Sequence, residues 1–137
     1  MLQPKRTTYR KRQKGRVSGK VSMACQFGSF GIQSCASGRL KASVIEAMRR
    51  VMARKLKRQG QIWIRVFPDM PISQKPAEVR MGKGKGAVAY WVANVKKGQF
   101  LFELDGVPHA LAAQAVQLAL HKLPWPARFV AEDTIAK

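Results

Sequence analysis

Acidic residues are scarce. Asp and Glu together number 7 among 137 residues, against 26 Lys and Arg, for a formal charge of +19. The acids do not cluster, apart from the turn-flanking Glu103 and Asp105 and the tail residues Glu132 and Asp133, so paired-carboxylate catalysis has little to work with. Histidine occurs only at 109 and 121, a spacing that misses the i, i+4 geometry of a helical metal pair. Cysteine occurs only at Cys25 and Cys35, at most two thiolates with no nearby histidine to complete a tetrahedral site. Such a composition suits a reducing compartment, where thiols stay unbridged. No apolar run approaches the roughly 18 residues of a membrane span. Met1-Leu2-Gln3-Pro4, followed by basic residues, lacks the apolar core of a signal peptide. The residues therefore offer no catalytic group, no metal site and no cofactor.

What the chain has is apolar material and positive charge. Hydrophobic residues make up 46% of it, enough for one compact domain with its own core. A partner carrying dense negative charge repays the repulsion of so many cations, because each neutralised phosphate releases counterions. Nucleic acid is the leading partner and an anionic membrane surface the runner-up. The charge is unevenly placed: ten basic residues and no acid precede Glu46, and eight of those ten lie within residues 1–20. That segment has few large apolar groups and reads as an arm that orders on its partner. Residues 21–137 are the folded domain.

Short strands are expected at Val21–Phe27 and Ile32–Ala36. The clearest helix begins at Ser43, where Ser43 and Glu46 have the spacing of a capping box. Ile45, Met48, Met52 and Leu56 fall on one face, Arg49, Arg50, Arg54, Lys57 and Arg58 cover the rest, and Gly60 is placed to end the helix. Gln61–Phe67 alternates as a strand, and Val88–Val95 with Gln99–Leu104 suggests an antiparallel hairpin. Pro108 suits the first turn of a second helix, with Leu111, Ala115, Leu118 and Ala119 as its core face. Ala127–Val130 adds a last strand. Two helices and mostly antiparallel strands make an α+β domain.

Between two strands lies a long loop, residues 72–87, containing Arg80-Met81-Gly82-Lys83-Gly84-Lys85-Gly86. A loop this long in a small domain is functional or disordered. Its glycines open the main chain to close approach, and Arg80, Lys83 and Lys85 supply charge at the same place. The glycine spacing is not G-x-G-x-x-G, and no G-K-[ST] follows to bind magnesium. The run precedes a strand, so it lacks a helix N-terminus to hold phosphate. An RNA backbone fits it better than a mononucleotide, and a nucleotide-dependent enzyme would need a hydroxyl and an acid that the sequence does not place there. Trp63 with Arg65, and Tyr90-Trp91, can either stack on unpaired bases or pack within strands, and packing is the stronger reading. Peripheral membrane binding needs exposed apolar anchors, but the first helix's apolar stripe is better used as core.

Two long segments carry a family resemblance. Lys57-Arg58-Gln59-Gly60-Gln61-Ile62-Trp63-Ile64-Arg65-Val66-Phe67-Pro68 resembles one signature of the bacterial-type large-subunit ribosomal protein sixteen, and the run from Arg80 to Gly86 with Tyr90-Trp91-Val92 resembles another. The opening Met1 to Thr7, Phe27 to Gly31 and Phe102 to Val107 are similar to the family as well. The resemblance implies an α+β fold with a hammerhead-like sheet arrangement, in a bacterial or mitochondrial member. It implies a structural role in the large ribosomal subunit, in bacterial cytoplasm or mitochondrial matrix. The partners would be large-subunit rRNA, A-site and P-site tRNA and neighbouring ribosomal proteins, without membrane contact or self-association. By the same resemblance the protein supports late subunit assembly and tRNA positioning. Residues 80–86 approach the tRNA sites, and Lys5, Arg6, Arg10, Lys11, Arg12, Lys14 and Arg16 thread between rRNA helices. Arg49, Arg50, Arg54, Lys57 and Arg58 of the first helix then face rRNA.

Overall fold

A computed structural model describes residues 1–22 and 24–131. Nine elements follow in order: β1 (Phe30–Ser34), β2 (Gly38–Lys41), α1 (Ala42–Leu56), β3 (Gln61–Ile64), β4 (Met70–Ser73), β5 (Val88–Val95), β6 (Phe100–Asp105), α2 (His109–Leu120) and β7 (Ala127–Ala131). They form two antiparallel sheets, one ordered β3-β6-β1-β7 and the other β2-β5-β4. This is the α+β domain expected from the sequence.

α1 forms because Ile45, Met48, Met52 and Leu56 recur at helical spacing and all are buried. Its stripe packs with Ile32, Leu40, Val95, Phe102 and Leu104 from both sheets and with Ala115, Val116 and Ala119 of α2. The small residues of α2 let the two helices approach closely. Its buried face is Ala112, Ala115, Val116 and Ala119, whereas Leu111 is half-buried and Leu118 exposed. The predicted core face is thus rotated toward leucines that α2 leaves at the rim. A second, smaller cluster gathers Met70, Ile72 and Val92 with Tyr90 on the three-stranded sheet.

Several expectations are corrected. The strands Val88–Val95 and Phe100–Asp105 do not form a hairpin: they belong to different sheets. Each already has two partners, β2 and β4 for β5, and β3 and β1 for β6. Between them the Gly98 N–H donates to Ser34 O at 2.8 Å and the Ser34 N–H to Gln99 O at 2.9 Å, steering the chain onto β1. The Ser43–Glu46 capping box is absent. β2 runs directly into α1 with Lys41 at the N-cap, so Ser43 already lies inside the helix and Glu46 turns to arginines instead. Of the expected strand Val21–Phe27, residue 23 lies outside the described residues and the others form no strand; Gln26 and Phe27 donate to the buried Glu103 carboxylate. Residues 38–41 and 70–73 are strands that glycine and proline had obscured, so the long loop begins after Ser73 rather than at 72. Pro108 is the N-cap of α2 rather than a first-turn residue. Helix α1 ends before Gly60, on Lys57 and Arg58, whose φ angles are 49° and 67°. Gly60 answers a different need. A Cβ there would collide with the Asp105 carbonyl oxygen and come within 2.7 Å of Val107 Cγ1, where the chain leaves α1 and crosses the end of β6.

Candidate nucleic-acid interface

The glycine-lysine loop spans the gap between β4 and β5. Its base is closed by the Gln74 N–H donating to Ala87 O at 3.1 Å. Its tip stands clear of the domain: Met81 is 97% exposed, and nothing lies within 4 Å of a Cβ placed on Gly82 or Gly84. Gly82 and Gly84 both have φ of 91°, and Lys83 between them has φ of 60°. Glycine is required at two of these three left-handed positions by backbone sterics, not by crowding. Lys75 Nζ donates to Gly82 O across the loop. Arg80, Lys83 and Lys85 are all exposed.

The fold brings the arm to this loop. Lys11 Nζ donates to Lys85 O at 3.0 Å, and Lys85 Nζ donates to Arg12 O at 2.7 Å. Further along, Arg39 Nη2 donates to Lys14 O at 2.9 Å and to Gly15 O at 2.5 Å. At its start, Leu2 packs against the main core. Lys5, Arg6, Arg10, Lys11, Arg12, Lys14 and Arg16 are all exposed. Two cationic segments remote in sequence therefore lie side by side. The bonds between them use backbone carbonyls as acceptors, and among the described residues no carboxylate pairs with either. Their mutual repulsion is left for an outside anion to relieve.

The arginines near the middle of α1 and the cations at its C-terminal end are placed differently. The Glu46 carboxylate accepts from Arg49 Nε at 2.9 Å and Nη2 at 2.6 Å, and from Arg50 Nε at 3.0 Å. The Arg49 hydrogen bonds lead in drawing the Glu46 carboxyl down to about 2; burial opposes them and Arg50 adds to them. Arg54, Lys57 and Arg58, at the other end, are exposed and take part in no ion pair among the described residues. Arg54 and Lys57 edge a groove of about 570 Å³ between α1 and α2, floored in part by Val51, Leu56, Leu111 and Leu118.

Glu103 is the residue that sequence reasoning undervalued. It sits in mid-β6, fully buried, and its carboxylate accepts the backbone N–H groups of Gln26 (3.1 Å), Phe27 (2.6 Å) and Gly28 (3.0 Å) together with Arg65 Nη1. Burial alone would raise its pKa, yet those donors outweigh it and hold the carboxyl below the usual carboxylate range. An acid inside the apolar run Phe100-Leu101-Phe102-Glu103-Leu104 was the available signal. Arg65, so held, lies 5.2 Å over the Phe27 ring, which in turn stacks with Trp63 at 6.2 Å between centroids. These aromatics are engaged within the fold. His109 meets Phe30 and Phe129 edge-on, and Cys25 and Cys35 are not bridged.

Comparison with known proteins bears on the whole of this arrangement. Residues 4–130 match the family described as ribosomal protein L16p/L10e. The chain belongs to that family. A relative from Parvibaculum lavamentivorans, named large ribosomal subunit protein uL16, is 55% identical over 133 residues, covering 96% of each chain. Another of the same name, from Erythrobacter litoralis, is 56% identical over 133 residues, covering 96% of this chain and 92% of its own. Both relatives are bacterial, in keeping with the bacterial-type family that the two signatures resemble. L16 proteins are structural proteins of the ribosome, not enzymes. In this L16 chain the matched region takes in all but the first three residues of the arm and the whole glycine-lysine loop.

Proposed function

We propose that this chain is a structural protein of the large ribosomal subunit, the particle for which its relatives are named, and that it works in the bacterial cytoplasm. Its arm and glycine-lysine loop bind large-subunit rRNA as one surface. One observation carries this reading: the arm and the loop lie in contact through lysine-to-carbonyl bonds, and among the described residues no carboxylate is paired with the cations of either. Phosphates neutralise both at once, and the glycine backbone at 82 and 84 permits close approach. Arg54, Lys57 and Arg58 form a second phosphate-facing group, to which Arg49 and Arg50 contribute less because Glu46 already pairs them. The exposed tip from Arg80 to Lys85 is the part that reaches toward A-site and P-site tRNA and helps position them late in subunit assembly.

Binding of the purified chain to large-subunit rRNA tests the surface. Affinity falls steeply with salt, and replacing Arg80, Lys83 and Lys85 with alanine lowers the log–log slope by about 2 to 3. A flat salt dependence, or a slope unchanged in the triple variant, removes the loop from the interface. A tagged copy that fails to sediment with large subunits refutes the ribosomal assignment itself.

A further inference from the structure

The contact between arm and domain leaves a cleft of about 490 Å³, lined by Thr7, Arg10 and Lys11 of the arm and by Ala87, Val88 and Trp91 at the start of β5. Its composition is unlike that of the loop tip. One wall carries two cations and a hydroxyl; the other carries an indole beside small side chains. Trp91 is half-buried, and none of the ring contacts that engage Trp63 and Phe27 involves it among the described residues. Its β5 neighbour Tyr90 projects to the opposite face, where it packs on Met70, Ile72 and Val92 under Lys41. Strand alternation thus sets Tyr90 on the second core and Trp91 on the face that meets Thr7, Arg10 and Lys11.

We propose that this cleft is a binding site for a single unpaired nucleobase, with the base stacked on the Trp91 indole and its phosphate held by Arg10 and Lys11. An aromatic face with cations within a nucleotide's length is the chemistry by which proteins seize unpaired bases, and it tolerates any base because each has a π face. Ala87 and Val88 are small enough to leave room beside the ring. Thr7 supplies a hydroxyl that can either donate or accept at the base edge. The lysine bonds at Lys11 and Lys85 hold the arm against the loop at this cleft, between its anchors at Leu2 and at Arg39. The site therefore exists only where arm and loop meet.

This inference rests on the RNA-binding reading and adds base recognition to it. The test uses the full chain and two probes of equal length and charge, a single-stranded oligoadenylate and an abasic phosphodiester oligomer. The parent binds the oligoadenylate more tightly. Trp91→Leu weakens that binding by about tenfold and leaves the abasic oligomer unaffected, whereas Trp91→Phe keeps most of the difference. Arg10→Ala weakens both probes alike. A urea midpoint for Trp91→Leu equal to the parent's separates loss of the base site from loss of the fold. If Trp91→Leu keeps the parent's ratio, the base site is refuted while RNA binding stands. If the parent binds neither probe, the RNA-binding reading falls as well.

Discussion

Replacing Glu103 with glutamine isolates the most heavily used side chain in the molecule. The carboxylate is fully buried and gathers three backbone donors and one guanidinium. Glutamine keeps the shape and one acceptor oxygen, but turns an NH₂ group toward amides that also donate. Removing one partner from a buried, hydrogen-bonded charge costs about 3–5 kcal/mol, and the retained oxygen puts this case at the lower end, about 3 kcal/mol. That is a large part of the ~5–15 kcal/mol that holds a domain of this size together. With a urea dependence of about 1.5 kcal/mol/M, the midpoint of unfolding falls by roughly 2 M. Arg65→Gln is the control. It leaves the three backbone donors on the Glu103 carboxylate and keeps an NH₂ that can donate in place of the guanidinium, so it costs less than Glu103→Gln. Hydrogen exchange supplies the local readout: the amides of Phe27 and Gly28 lose protection in Glu103→Gln and keep it in Arg65→Gln. If Glu103→Gln costs no more than Arg65→Gln, the backbone cage is not what Glu103 is for, and some other contact holds residues 24–28 in place.

Three further outcomes follow from the same geometry. The Glu103 carboxyl has a lower pKa folded than unfolded, so its stabilisation is complete above the unfolded carboxylate value of about 4.3 and is lost as pH falls through the folded value; urea midpoints measured from pH 6 to pH 3 drop more steeply for the parent than for Glu103→Gln. Lys57 holds a left-handed backbone with φ of 49°, which costs a non-glycine residue about 1 kcal/mol, so Lys57→Gly unfolds at no lower urea concentration than the parent while its rRNA affinity drops. Gly60→Ala drives a methyl group into the Asp105 carbonyl at φ of 67° and loses about 2 kcal/mol or more, read as a lowered thermal midpoint; an unchanged midpoint would show that the crossing over β6 is not tight.

Local pattern was enough for what local physics decides. The α1 stripe of Ile45, Met48, Met52 and Leu56 was legible because helical spacing and burial coincide there. The cationic character of the arm and of residues 80–85 was written in composition, and the two signatures already pointed to the ribosomal family. Pairing was another matter. β5 and β6 look like a hairpin because they are neighbours in the chain, but each is hydrogen-bonded on both edges to other strands, so the turn at 96–99 had to pass from one sheet to the other. The Ser43 cap failed for a similar reason, since the helix start was set by β2 running straight into it. Glu103 read as a turn-flanking acid until the fold wrapped three amides around it. The meeting of Lys11 with Lys85 O and of Lys85 with Arg12 O joins residues more than seventy positions apart. The sequence by itself determined that this protein is a small, apolar-cored, strongly cationic domain. Only the tertiary structure decided that two of its basic segments, the arm and the glycine-lysine loop, share one surface, because contact between like charges is set by where the core places their backbones, not by any attraction between the segments themselves.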